Sequence, residues 1–297
     1  MIREGVFPDR PQSLIDNTEY LFTANDLSLI SEIMKNDTGI VLSEAKASLV
    51  YSRLAKRIRK LGLSGFADYC SLIKAPEGVE ERKEMMAALT TNVTSFFREA
   101  HHFEHLRSKI LPDLIRRAKA GERIRMWSAA CSSGPEPYSM ALTLLQLLPD
   151  ARHYDIRILA TDLDENILTI AKSGIYDDSQ LVPVSADLRK NWFKSVGSKV
   201  GHFQVKDELR DLVSFKPLNL IGHWPMKGRF QVIFCRNVVI YFSRQTQEML
   251  WSRFIPLLDE GGALYVGHSE RLFGMASTRM RSDGVTTYRK LTSDLIK

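Results

Sequence analysis

Along the first third of the chain, apolar residues recur at helical spacing. "TANDLSLISEIMKNDTG" (23–39) predicts a helix closed by Gly39. "SEAKASLVYSRLAKRIRKLGL" (43–63) predicts a second, with an apolar side of Ala47, Val50, Leu54, Ile58 and Leu61. Its other side carries Lys46, Arg53, Lys56, Arg57 and Lys60, at spacings that share a helix face. The polar stretch "KAPEGVEERKE" (74–84), with Pro76 and Gly78, reads as a linker. A helical domain over 1–85 and a second domain over 86–297 are therefore expected.

Beyond residue 123 the pattern changes to short apolar runs alternating with helical segments. "RIRMWS" (123–128), "IRILAT" (156–161), "LVSFK" (212–216), "QVIFC" (231–235) and "ALYVG" (263–267) predict strands. Helices are predicted at 137–148, 164–172 and 244–258, the first of them amphipathic. Alternation of this kind predicts an α/β fold with a mostly parallel sheet covered on both faces. Residues 175–210 break the rhythm. "KSVGSKVGHFQV" (194–205) has the glycines and alternation of a small hairpin, so an inserted β-subdomain is expected at about 180–212.

In such a sheet a ligand lies beyond the carboxyl ends of the strands. The first strand runs into "SAACSSGPEPYS" (128–139), where the dinucleotide fingerprint G-x-G-x-x-G would stand, yet only Gly134 is glycine. Glu136 occupies the position where a phosphate would lie, and an anion there repels phosphate and suits a cation. The second strand ends on Asp162, placed to accept from both ribose hydroxyls. A nucleoside carrying positive charge and no phosphate meets both demands, and S-adenosylmethionine is such a molecule. Alternatively, Gly134 is an ordinary turn residue and Asp162 a helix N-cap.

Composition narrows the class. The chain has 297 residues, 44% hydrophobic and 26% charged, which fits a globular protein. The three cysteines, Cys70, Cys131 and Cys235, form no CxxC and predict neither disulfides nor a zinc site. No apolar run has membrane-spanning length, and "MIREGVFPDRPQSL" has no signal-peptide core. A net charge of +6 points to an acidic partner. His101 and His105 are spaced i,i+4, but "HHFEH" is no HExxH, so no metal is expected. His268 of "GHSE" follows a strand, where it lies either near the cleft or in a structural turn.

Five segments occur in a telling order: "LTTNVTSFFREAHHFEHL" (89–106), "WSAACSSGPEPYSMAL" (127–142), "ATDLDENILTIAKSGIY" (160–176), "FQVIFCRNVVIYF" (230–242) and "GGALYVGHSE" (261–270). Together they resemble the chemotaxis receptor methyltransferases, the CheR family, over about residues 20–290. The resemblance implies a small all-α N-terminal domain and a Rossmann-like S-adenosylmethionine-dependent methyltransferase domain bearing a small antiparallel β-subdomain. It implies methyl transfer to glutamate side chains of chemoreceptors in the cytoplasm, at receptor arrays on the inner membrane. It further implies cofactor contacts at Asn92, Thr94, Arg98, Glu136, Asp162, Asn219, Leu220, Arg236 and Asn237, beside the Gly134 turn. Tyr241 is implied near the transferable methyl. The family loop usually reads G-E-E-P-Y; here Pro135 replaces the first acid and predicts a stiffer loop.

The chemistry agrees with these residue types. A glutamate acceptor has a pKa of about 4.3 and is already ionised at neutral pH, so no general base is required. Arg98 and Tyr241 are the candidates for holding the acceptor carboxylate, Arg because its planar fork matches one. The basic face Lys46, Arg53, Lys56, Arg57 and Lys60 complements the acidic helices of receptors, with a receptor tail peptide as a further possible partner. Few aromatics interleave with those charges, and no N-P-P-Y sequence is present, which argues against nucleic acid. The competing readings are a methyltransferase for nucleic acid or another acidic protein, an NAD-dependent oxidoreductase, and a cofactor-binding module without turnover.

Overall fold

The computed structural model describes residues 12–16, 18–197 and 200–292. The chain divides into two compact units, 1–90 and 91–297.

In the first unit the periodic stretches become helices α1 (Ala24–Thr38), α2 (Ala47–Leu61), α3 (Phe66–Lys74) and α4 (Val79–Leu89). Thr23 and Asp26 form a capping box at the start of α1, and Gly39, at φ +78°, closes it. Ile30, Met34, Val50, Leu54, Ile58, Phe66, Ile73 and Met85 are fully buried and make the core. The stretch expected to be a linker is instead a short 3-10 turn (Pro76–Gly78) followed by α4, and the division falls after Thr90. Its acids are polar for a local reason. Arg57 reaches Glu81 at 2.5 Å and Glu84 at 2.7 Å, and Tyr69 donates to Glu81 at 2.9 Å. Arg53 donates to the carbonyls of Ala88 and Thr90 at 3.1 and 2.6 Å. Two members of the expected docking face are thus engaged within the unit that carries them.

The second unit begins with an irregular segment, then α5 (His101–His105), a π-helical turn (Leu106–Ile110) and α6 (Leu111–Lys119). The order continues β1 (Ile124–Ala129), α7 (Pro135–Leu145), β2 (Ile156–Asp162), α8 (Glu165–Ser173), β3 (Ile175–Asp177), α9 (Ala186–Trp192), β4 (Phe193–Ser195) and β5 (His202–Val205). It closes with α10 (Asp207–Arg210), β6 (Val213–Pro217), β7 (Phe230–Cys235), α11 (Arg244–Leu257), β8 (Leu258–Val266), α12 (Met275–Thr278), β9 (Met280–Gly284) and β10 (Thr287–Lys290). The main sheet has the order β6-β2-β1-β7-β8-β10-β9. Its first five strands are parallel, and the β9–β10 hairpin adds antiparallel to β8. A separate antiparallel sheet, β3-β5-β4, is the inserted subdomain. Ser198 and Lys199 of the expected hairpin lie outside the described residues. The insertion begins at Ile175, slightly earlier than the glycine pattern suggested.

This topology has a switch point. The chain builds outward from β1 to β2 and β6, then returns to the other side of β1 as β7. The loops leaving β1 and β7 therefore diverge and leave a crevice at their carboxyl ends. Register brings the two ends level, Ala129 opposite Cys235.

Helix α7 differs from expectation. Every residue from Pro135 to Leu145 is buried, so the helix is not amphipathic. Its hydroxyls are satisfied internally: Ser139 donates to the Pro135 carbonyl and Thr143 to that of Ser139, each at 2.7 Å. Pro135 occupies the first helical turn, where a missing N–H costs nothing and φ is already set. Gly134 caps it at φ +96°, and an added Cβ would lie 2.9 Å from the Tyr176 hydroxyl and 3.1 Å from Ala171 Cβ. Gly134→Ala is therefore expected to cost about 2 kcal/mol in backbone strain alone. Thermal melting followed by circular dichroism should show a fall of roughly 4–8 °C; an unchanged midpoint would refute this account of the turn.

Candidate functional site

The crevice is built from three loops and one irregular segment. The β1–α7 loop is held open by unusual backbone: Ala130 and Ser132 have φ of +62° and +51°. Its shape is fixed from the neighbouring strand, since Cys131 N–H donates to the Thr161 carbonyl at 2.9 Å. Ser132 N–H donates to Asp162 Oδ2 at 2.8 Å, and Asp164 N–H donates to Oδ1 at 3.1 Å. Asp162 is buried, and burial pushes its carboxyl up against the backbone bonds of Asp164, Ser132 and Leu163. A carboxylate has about four acceptor sites, so Asp162 retains capacity for a further donor. Asp164, and not Asp162, is the N-cap of α8.

Residues 91–100 close over this loop. Ser132 Oγ donates to the Asn92 carbonyl at 2.8 Å, and Asn92 Nδ2 donates to Asp164 at 3.1 Å. Phe97 N–H donates to Ser139 Oγ at 2.9 Å. Phe97 and Glu99 both sit at positive φ, +52° and +58°. Thr94 is half-buried on the same segment. Arg98 lies in this turn and is half-buried as a residue; its guanidinium donates to the Val93 carbonyl at 3.1 Å in an exposed bond.

At the switch point a single cation meets two acids. Arg236, 5% exposed, donates to Glu136 Oε2 at 3.0 Å and lies 3.3 Å from Glu99 Oε2. It also donates to the Arg98 carbonyl, and its guanidinium carbon lies 5.6 and 5.7 Å from the ring centres of Phe103 and Phe234. Ser128 Oγ donates to the other Glu136 oxygen at 2.7 Å. Burial pushes the Glu136 carboxyl up, opposed by Arg236 and Ser128. Burial also opposes ionisation of Glu99, but Arg236, Asn237 Nδ2 and His268 outweigh it and hold that carboxyl at about 2. His102 is fully buried beside them and is kept neutral by burial and by Arg236, its pKa lowered to about 3.

The structure thus brings Asn92, Gly134, Glu136, Asp162, Arg236 and Asn237 to one edge of the sheet. Leu218 N–H donates to the Asp162 carbonyl at 2.9 Å, which ties the loop bearing Asn219 and Leu220 to the same edge. Leu220 is buried, and its carbonyl accepts from Trp224 and Arg253. Tyr241 is half-buried on the 3-10 turn that follows Asn237. One expectation changes: the cation that Glu136 suits comes in part from the chain itself, as Arg236. His105 is engaged by Tyr265 at 2.9 Å and Asp283 at 3.3 Å. Among the described residues Glu99, His101 and His102 do gather within 4.8 Å, but Arg236 already places its positive charge against Glu99. The sequence reading missed Glu99, Ser128, Ser132, Asp164 and Glu270. Glu99 and Glu270 both stand in the motifs that carry the family resemblance, "TSFFRE" and "GHSE", but next to polar residues such as Arg98, His268 and Arg271 nothing local set them apart.

Residues 92–288 match the family described as "CheR methyltransferase, SAM binding domain", and residues 25–90 match "CheR methyltransferase, all-alpha domain". The chain belongs to the CheR methyltransferase family. It is 56% identical to a probable chemotaxis protein methyltransferase of Rhizobium etli, over 88% of this chain and 97% of the relative. It is 41% identical to chemotaxis protein methyltransferase 2 of Pseudomonas aeruginosa over 94% and 97%. With the chemotaxis protein methyltransferase of Escherichia coli it shares 41% over 87% and 88%. This CheR-family chain is an S-adenosylmethionine-dependent methyltransferase.

The site suits that cofactor by its donor set: an acid at the β2 end for a ribose, carboxylates at the switch point for a cationic amino-acid moiety, and no phosphate cradle. Buried polar atoms here also remain without hydrogen-bond partners, namely Glu99 Oε2, Arg236 Nε and His102 Nδ1.

The depressed Glu99 carboxyl has a pH consequence. A carboxyl held low in the folded state stabilises it above the unfolded value of about 4.3, and that contribution is lost as pH falls toward about 2. Wild type should exceed Glu99→Gln in urea midpoint at pH 7, with the gap narrowing as pH drops below about 4.5. A gap independent of pH would contradict the ionised, paired state of Glu99.

Proposed function

We propose that this methyltransferase esterifies glutamate side chains on the cytoplasmic helices of chemoreceptors. The observation that carries the reading is the acid-lined switch point, with Arg236 bridging Glu99 and Glu136 and with Asp162 at the next strand end. It favours a phosphate-free cationic nucleoside. The names of the relatives, chemotaxis protein methyltransferases, support the biological setting.

When bound, S-adenosylmethionine supplies a methyl group made electrophilic by its sulfonium. The chain's own task is then to bind, orient and exclude water. Asp162, Asn92, Asn219 and Leu220 hold the nucleoside end; Glu136, Arg236 and Asn237 hold the amino-acid end. A glutamate acceptor is ionised at neutral pH, so the protein needs no base to activate it. Arg98 and Tyr241 fix the acceptor oxygens. Orientation of this kind accounts for about 7–11 kcal/mol of a barrier when the groups are aligned.

For receptor recognition the basic side of α2 is reduced by the structure. Arg53 and Arg57 are engaged by groups of their own unit, and Lys46 is half-buried. Lys56 and Lys60 are exposed and are assigned the contact with acidic receptor helices. A receptor tail peptide is a second point of attachment. No helix among the described residues is long and apolar enough to cross a membrane. The enzyme acts in the cytoplasm and reaches receptor arrays through these contacts.

The test uses radiolabelled S-adenosylmethionine with a receptor cytoplasmic fragment and, separately, RNA. Base-labile label on the receptor fragment is expected, and label on RNA would overturn the reading. Lys56→Glu/Lys60→Glu should raise KM for the fragment several-fold with cofactor affinity unchanged. Arg98→Ala should lower kcat more than cofactor affinity, and wild-type turnover in that variant would remove Arg98 from its role.

A further inference from the structure

The turn after β8 carries an acid that the reading above leaves without a task. Glu270 is 2% exposed. Its Oε2 accepts from the N–H groups of Gly267 at 2.6 Å and Asn237 at 3.0 Å. Its Oε1 accepts from Val238 at 3.0 Å and Val239 at 2.9 Å. The three successive N–H groups of residues 237–239 converge on one carboxylate, which is the geometry of a backbone anion nest. Asn237 stands at φ +58°, the left-handed turn that brings its N–H round to this side. Gly267 packs flush against the same loop. A Cβ there would lie 2.5 Å from Asn237 Nδ2, 2.8 Å from Asn237 N and 2.8 Å from Glu270 Oε2.

The moulded segment begins one residue after Arg236 and ends in the 3-10 turn that bears Tyr241. Glu270 hydrogen-bonds the backbone of that loop, whereas Arg236 reaches Glu136 and Glu99 from it. An internal anion is a demanding way to shape a loop. Four donors are satisfied by one side chain, and no neutral residue of that size accepts from all four. A buried polar network with every member satisfied rigidifies the segment it holds, so this carboxylate fixes the course of the loop.

We propose that Glu270 is the positioning residue of the methyltransferase site: its carboxylate is the anion around which residues 237–239 are folded, and it thereby fixes Arg236 between Glu99 and Glu136 and sets the direction of Tyr241. This rests on the assignment of Arg236 and Asn237 to the cofactor pocket and of Tyr241 to the acceptor side.

Three proteins are compared: wild type, Glu270→Gln and Glu270→Ala. Gln keeps an acceptor for two of the N–H groups and turns an NH2 toward the others. Ala leaves all four without an acceptor and opens a space of carboxylate size. Calorimetry with S-adenosylhomocysteine and steady-state methylation of a receptor fragment are the readouts. Both variants should bind the nucleoside at least tenfold more weakly, with kcat lowered as well. Sodium formate should restore much of the affinity and turnover of Glu270→Ala by occupying the nest. It should leave wild type and Glu270→Gln unchanged, and sodium chloride at equal ionic strength should restore nothing. Wild-type affinity and turnover in both variants would overturn the proposal, as would a loss in Glu270→Ala that formate does not reverse. If Glu270→Ala fails to fold, Glu270→Gln decides alone, and wild-type kinetics in it are the overturning result. Wild-type protein that binds no S-adenosylhomocysteine would overturn the cofactor assignment itself, and this proposal with it.

Discussion

The structure of the methyltransferase unit turns on Arg236, one buried guanidinium between the buried carboxylate of Glu136 and the half-buried one of Glu99. Taking charges out of water costs several kcal/mol per ion, and the attraction between them repays this only when geometry and extra hydrogen bonds are good. Those bonds are present: Ser128 on Glu136, and Asn237 and His268 on Glu99. Phe103 and Phe234 flank the cation and exclude solvent from it. Two acids against one base leave the cluster negative, and that suits it to a cationic ligand.

The fold places these charges together by its topology. Glu136 enters after β1, Arg236 after β7, and Glu99 from the segment that precedes α5. Only a sheet whose order reverses at β1 brings the first two to one crevice. The backbone pays for the convergence locally. Phe97, Glu99, Ala130, Ser132 and Asn237 are all left-handed without being glycine, and each such residue costs of order 1–3 kcal/mol unless its surroundings hold it. All five lie on loops that shape the crevice, and the hydrogen bonds of Ser132, Phe97 and Asn237 hold them there.

Much of this was legible in the chain. The strands were visible as apolar runs, because parallel strands buried on both faces need them. Gly134 and Asp162 stood at strand ends, where the reading needs only local pattern. What failed to show was long-range pairing. Glu136 announced a cation but not that Arg236, a hundred residues on, would supply one. Arg53 and Arg57 looked like members of a docking face because Glu81 and Glu84 lie on a stretch whose polarity read as a linker, and the carbonyls of Ala88 and Thr90 lie beyond it. Helix α7 looked amphipathic because Ser139 and Thr143 count as polar, though each spends its hydroxyl on the helix's own backbone. Glu270 left no local trace, since three of its donors are backbone groups about thirty residues upstream.

If the buried triad serves the site rather than the stability of the fold, replacing all three charges together should separate the two. The decisive measurement is on Arg236→Met/Glu99→Gln/Glu136→Gln, which leaves no unpaired buried charge among the three. Its melting temperature and its affinity for S-adenosylhomocysteine are compared with wild type. The account predicts a midpoint within a few degrees of wild type, with affinity down by more than tenfold, or about 1.4 kcal/mol. Wild-type affinity in the triple variant would contradict it.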